Sequence, residues 1–70
     1  MTTNEKMELI ERVLRLEPNT LTETTKLNTL QEWDSLNILT LQVEFTAIQP
    51  DMQFDTLYTC NTVGEVCMLI

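Results

Sequence analysis

The apolar positions of the chain fall into three helical stripes separated by polar connections. In the first, Met7, Ile10 and Leu14 share a face, flanked by Leu9, Val13 and Leu16, while Glu8, Glu11, Arg12 and Arg15 are predicted to face outward. Thr2 and Glu5 have the spacing of a capping box, in which each side chain satisfies a free backbone N–H at a helix start. Glu8–Arg12 and Glu11–Arg15 are i,i+4 pairs in the favourable order. Pro18 predicts an end to this helix by about Glu17, because the residue before a proline avoids the helical region.

Residues 19–33 form a threonine-rich connection (Thr20, Thr22, Thr24, Thr25, Thr29) interrupted by Leu21, Leu27, Leu30 and Trp33. That is long for a structureless loop in a small domain. Its spaced leucines predict a segment laid over the core, with room for a short helical turn. Residues 36–48 have two readings. Leu39, Leu41, Val43 and Phe45 alternate with polar residues as in a strand, whereas Ile38, Leu41, Phe45 and Ile48 line up at helical spacing, with Leu36, Leu39 and Val43 beside them. Helix is favoured, because no second segment offers a strand to pair with. Asp34 and Ser35 also stand where a helix takes its N-cap.

Gln49-Pro50-Asp51 breaks this second helix. Asp55 is placed to cap a short turn through Tyr58. Thr62-Val63-Gly64-Glu65 reads as another capping box, opening a final helix whose inward stripe is Val63, Val66, Cys67 and Ile70. Three main helices plus one short helix predict a small all-α bundle, one domain spanning residues 1–70.

Composition removes most chemistry. The 70 residues include no histidine, one glycine and two cysteines. A self-contained Ser-His-Asp or Cys-His unit is therefore absent, as are a disulfide framework and an all-protein zinc site. The chain is expected not to be an enzyme. Eleven acids against four bases give a formal charge of −7. Lys6, Arg12, Arg15 and Lys26 are all the bases, so residues 27–70 carry Glu32, Asp34, Glu44, Asp51, Asp55 and Glu65 uncompensated. Nucleic acid is an unsuitable partner for such a surface, and a basic protein surface a suitable one. No apolar run is long enough to span a membrane, and the first residues lack the pattern of a secretory signal. A cytoplasmic location is expected, with Cys60 and Cys67 as reduced, packed thiols.

Trp33-Asp34-Ser35-Leu36-Asn37 is the decisive stretch. Here the chain resembles the acyl carrier protein family, whose hallmark is an Asp-Ser-Leu triplet opening the second helix of a four-helix bundle. The resemblance extends through Thr25-Lys26-Leu27, the apolar spacing of the second helix and the capped start Thr62-Val63, covering roughly residues 7–70. It implies that Ser35 is esterified with 4'-phosphopantetheine, taken from coenzyme A by a separate Mg-dependent phosphopantetheinyl transferase. It implies further a monomeric carrier of acyl or aminoacyl thioesters, shuttling between loading and processing enzymes that bear basic docking patches. Asp34, Leu36, Asn37 and Glu44 are the residues expected to meet those partners. Leu36 has two readings, a contact for visiting enzymes or partial burial; Trp33 likewise either packs the loop end down or stands exposed beside Ser35.

The chain also departs from the family pattern. Acids that line the second helix of many carriers are replaced by Asn37, Thr40, Thr46 and Ala47, leaving only Glu44. A dedicated partner set in a specialised pathway is therefore expected. Met7, Leu9, Leu39, Leu41, Val43, Phe45, Met52, Phe54 and Met68 are candidates to line an acyl cavity, although ordinary core packing explains the same residues. A peptidyl or aminoacyl carrier of nonribosomal type is the alternative within the class. A small acidic adaptor without a prosthetic group is the alternative outside it.

Overall fold

Local capping chemistry sets where the helices begin. A computed structural model describes residues 2–53 and 55–70 of the chain, arranged as three α-helices and two 3-10 turns: α1 (Thr3–Leu14), a turn at Leu27–Thr29, α2 (Ser35–Ile48), a turn at Thr56–Thr59 and α3 (Val63–Cys67). No strand occurs among the described residues; one isolated antiparallel bridge joins Lys26 to Thr62. Thr2 with Glu5 and Thr62 with Glu65 form the two expected capping boxes, and Asp34 caps α2. The helical reading of residues 36–48 holds, and Gln49 ends α2 as the proline-containing break requires.

The first helix stops earlier than Pro18 demands. Arg15 already turns into the left-handed region (φ 61°), its N–H bonded to the Arg12 carbonyl, and the Leu16 N–H returns to the Glu11 carbonyl at 2.8 Å. These bonds close the last turn in the way a glycine often does. Glu11 is not an outward residue. It is buried, and its carboxylate accepts the Leu21 N–H at 3.0 Å, so the expected Glu11–Arg15 pair gives way to a tie between α1 and the connection. A buried backbone N–H needs an acceptor, and a charged one makes the stronger bond.

The connection is fastened at its other end by backbone alone. The Leu27 N–H donates to Asn61 at 2.9 Å, Val63 to Thr25 at 3.0 Å, and Gly64 to Glu23 at 2.8 Å. Gly64 permits this approach, because a Cβ there would sit 2.9 Å from the Glu23 carbonyl oxygen. Lys6 completes the closure from α1, its ammonium donating to the carbonyls of Cys67 (3.1 Å) and Ile70 (2.7 Å) at the end of α3. A cation there also meets the negative end of the helix dipole.

Ile10, Leu14, Leu27, Leu41, Phe45, Leu57, Val63 and Val66 are fully buried, so every helix and both turns reach one core. Ile48, the last member of the expected α2 stripe, lies outside it, exposed near the end of α2; Met68, expected only as a cavity candidate, is exposed just past α3. Asp55 precedes the Thr56–Thr59 turn without a side-chain cap bond. Phe54 lies outside the described residues. Cys60 is half-buried and Cys67 buried, and desolvation raises both thiols above their ordinary values.

Replacing Gly64 with Ala is expected to cost about 1–3 kcal/mol, because the neighbour that must give way is backbone. Thermal unfolding reads this as a fall of roughly 4–8 °C per kcal/mol in a domain of this size. Lys6→Met removes both carbonyl bonds while keeping the apolar stem, and is expected to cost about 1–2 kcal/mol by the same measurement.

Candidate functional site

The chain arrives at α2 under tight local control. The Trp33 N–H donates to the Leu30 carbonyl at 3.2 Å, and the indole packs half-buried against the core, so the anchoring reading of Trp33 is the one realised. The Glu32 carbonyl accepts two bonds, from the Asp34 N–H at 3.0 Å and from the Asn37 side-chain amide at 2.8 Å. Asp34 has extended backbone angles, and its carboxylate accepts the Asn37 N–H at 2.9 Å. Asn37 is thus half-buried and occupied as a clamp between the helix and the residues before it.

This division of labour frees Ser35. Asp34 performs the capping, so Ser35 is the first residue of the helix, is exposed, and its hydroxyl has no hydrogen-bond partner among the described residues. Helix geometry leaves the amides of the first turn without carbonyl partners inside the helix. Asp34 takes the Asn37 amide, which leaves those of Ser35 and Leu36 at the positive end of the helix dipole. An oxyanion attached to the Ser35 oxygen would be electrostatically favoured by these amides and opposed by Asp34.

Leu36 is 73% exposed, so the partial-burial reading does not hold. It borders an open concavity of about 490 Å³, shared with Leu14, Arg15, Gln31, Glu32, Asp34 and Asn37. Arg15, one of only four bases, is therefore the cation of this rim. The helical pattern gave no sign of it, because the left-handed turn at Arg15 brings it there. Glu44 lies elsewhere. Nine residues after Ser35 at 100° per residue is half a revolution, and Glu44 accordingly lines a shallow groove with Glu5, Glu8, Leu9, Arg12 and Ile48 beside α1.

A second concavity, about 370 Å³, is lined by Leu39, Gln42, Val43, Thr46 and Met52. From the acyl-cavity candidates it gathers Leu39, Val43 and Met52, whereas Leu41 and Phe45 are sealed in the core and Met68 points away. Gln42 is its unforeseen member. Ile38, Gln42 and Phe45 are spaced as one buried stripe, a visible signal of a polar residue on the core side.

No protein-family model, curated protein or solved structure matches the chain.

Asp34→Ala is expected to lower stability by about 1 kcal/mol, the usual loss for an N-cap, with Asp34→Asn recovering most of it. Ser35→Ala, by contrast, should stay within about 0.5 kcal/mol of the parent, as an exposed residue without partners does. Denaturant unfolding of the three variants checks both.

Proposed function

We propose that the protein is an acyl carrier, with Ser35 the attachment point of a 4'-phosphopantetheine arm that bears acyl or aminoacyl groups between enzymes of a specialised pathway. The observation that carries the reading is the free, exposed hydroxyl of Ser35 at the start of α2, inside an Asp34-Ser35-Leu36 triplet whose capping is done by the aspartate. In this reading the Thr56–Thr59 turn corresponds to the short third helix of a four-helix carrier bundle.

The residues present suit the group. Attachment needs an accessible oxygen nucleophile, which Ser35 offers. It needs a place for a phosphodiester, for which the amides of Ser35 and Leu36 are available, with Arg15 on the rim that the neighbouring Asp34 and Leu36 share. The Ser35 oxygen attacks the phosphorus of coenzyme A that bears the pantetheine. The new O–P bond replaces the bond to the adenosine 3',5'-bisphosphate leaving group, and the hydroxyl proton passes to a base on the transferase. No histidine exists in the chain to take it, so Ser35 acts as a substrate and the protein as a carrier rather than a catalyst. When attached, the arm supplies a terminal thiol for thioester chemistry.

Recognition follows from the same geometry. Asp34 and Leu36 present a charge and an apolar contact on either side of Ser35, and Asn37 holds them in register. Glu44 faces the α1 side, so a partner that uses it must reach around the helix. The uncompensated acids after Lys26 suit loading and processing enzymes with basic patches, in the cytoplasm and with the carrier monomeric.

Incubation with coenzyme A, Mg²⁺ and a broad-range phosphopantetheinyl transferase is expected to add one phosphopantetheinyl mass to the parent and none to Ser35→Ala. Loading with acyl- and aminoacyl-activating enzymes then separates an acyl from a peptidyl carrier. An unmodified parent after exposure to several active transferases would overturn the reading. Salt-sensitive partner binding unaffected by Ser35→Ala would instead favour the acidic adaptor.

A further inference from the structure

Glu11 is a buried carboxylate separated from its expected cation. It is 5% exposed, and Arg15, its predicted partner, lies instead on the rim beside Asp34. Among the described residues the Glu11 side chain makes one hydrogen bond, from the Leu21 N–H to Oε2, and no ion pair. The one side-chain oxygen or nitrogen both sealed and unpaired among those residues is Oε1 of Gln42, so the unpaired Oε1 of Glu11 reaches open space. The space it borders is a hollow of about 120 Å³, shared with Asn4, Met7, Glu8, Asn19 and Leu21. Taking a carboxylate out of water without a counter-charge is costly, and a single amide offsets only part of that cost. No base lines the hollow, and Glu8 brings it a second negative charge. The missing counter-charge therefore has to come from outside the chain.

Two elements build the hollow. At 100° per residue Asn4, Glu8 and Glu11 fall within about 60° of one another on α1, a stripe of oxygen-bearing side chains. Asn19 closes it from the connection, in left-handed backbone (φ 65°) two residues before the amide that fixes Glu11. Glu8 and Glu11 are about 4.5 Å apart along the axis, so one ion can lie between their carboxylates. Asn4 is about 10 Å from Glu11 along the axis, too far for both to touch one ion but near enough to hold a water bound to it. Glu8 also borders the groove that contains Arg12, so it stands between a fixed cation and this hollow.

We propose that the hollow between α1 and the connection binds a hydrated magnesium ion, with Glu8 and Glu11 as its carboxylate ligands and Asn4 and Asn19 holding its waters. Two carboxylates balance one divalent charge. The donors are carboxylate and amide groups without thiol or imidazole, which suits a hard cation rather than a transition metal. No group of three or more acids or thiols placed to hold a metal occurs among the described residues. Calcium draws six to eight oxygens around it, whereas magnesium is held by one or two carboxylates and retains several waters, for which the hollow has room. Bound there, the ion clamps α1 to the connection beside the Glu11–Leu21 bond. This site stands independently of the carrier assignment.

The test titrates the unmodified chain with magnesium chloride at constant ionic strength, following the Leu21 backbone amide and the Asn19 side-chain amide by NMR. The proposal expects saturating shifts at both groups and a thermal midpoint that rises with magnesium. Glu8→Gln and Glu11→Gln are each expected to abolish the saturating shifts. Glu11→Gln keeps an oxygen for the Leu21 N–H, and Glu8→Gln alters an exposed residue, so it carries the test alone should the other variant fail to fold. Asp51→Asn removes the same charge from an exposed site elsewhere and is expected to leave the shifts unchanged. Shifts that grow linearly with magnesium and spread over the whole acidic surface overturn the site, leaving a diffuse ion atmosphere. Saturating shifts that survive both Gln substitutions overturn the ligand assignment, and calcium saturating at far lower concentration overturns the choice of magnesium.

Discussion

The arrangement depends on a backbone tie between the long connection and the entry to α3. Three amide–carbonyl bonds join Glu23, Thr25 and Leu27 to Gly64, Val63 and Asn61, and they satisfy groups that a loop lying on a core would otherwise bury unpaired. Ordering so long a segment costs conformational entropy that a few leucines alone would struggle to offset. The tie becomes worthwhile because it is shared. It covers the core through Leu21 and Leu27, and it supports a five-residue helix too short to persist alone. Lys6 and Glu11 then lock α1 to the same assembly from two sides, one at the carbonyls ending α3 and one at the Leu21 amide.

The consequence reaches Ser35. A connection anchored at Glu11 and again at the α3 entry delivers Trp33 and Asp34 to the head of α2 with little freedom left. Asp34 spends its carboxylate on the cap, and Asn37 spends its amide on the Glu32 carbonyl. What remains unspent is a serine hydroxyl and a leucine side chain, both facing solvent on a rigid element. For the proposed carrier this is the useful combination, since a visiting enzyme meets a positioned nucleophile that the fold itself does not need.

Features built from neighbours in the chain were legible, and features built across the chain were not. Both capping boxes, the Asp34 cap, the break at Gln49-Pro50 and the short turn within the connection follow from adjacent residues, and the structure has them. Glu11 looked like an outward acid because only the Leu21 amide, ten residues on, draws it inward. That same inward turn accompanies the early end of α1 and the swing of Arg15 toward the α2 head. In α2 the helical stripe through Ile38, Leu41 and Phe45 is buried as its spacing predicts and Val43 beside it is exposed, but periodicity could not rank Ile38 above Ile48; the positions of α1 and the Thr56–Thr59 turn decide it. Around Ser35 the triplet was readable. The clamp role of Asn37, the separation of Glu44 and the buried amide of Gln42 were settled by packing.

The most direct measurement is the mass of the Ser35-containing peptide from protein isolated from its native cells. The account predicts that Ser35 carries phosphopantetheine there, with or without an acyl group that is released by hydroxylamine. Peptide at the bare sequence mass throughout, or the same modification found on a different residue, would contradict it.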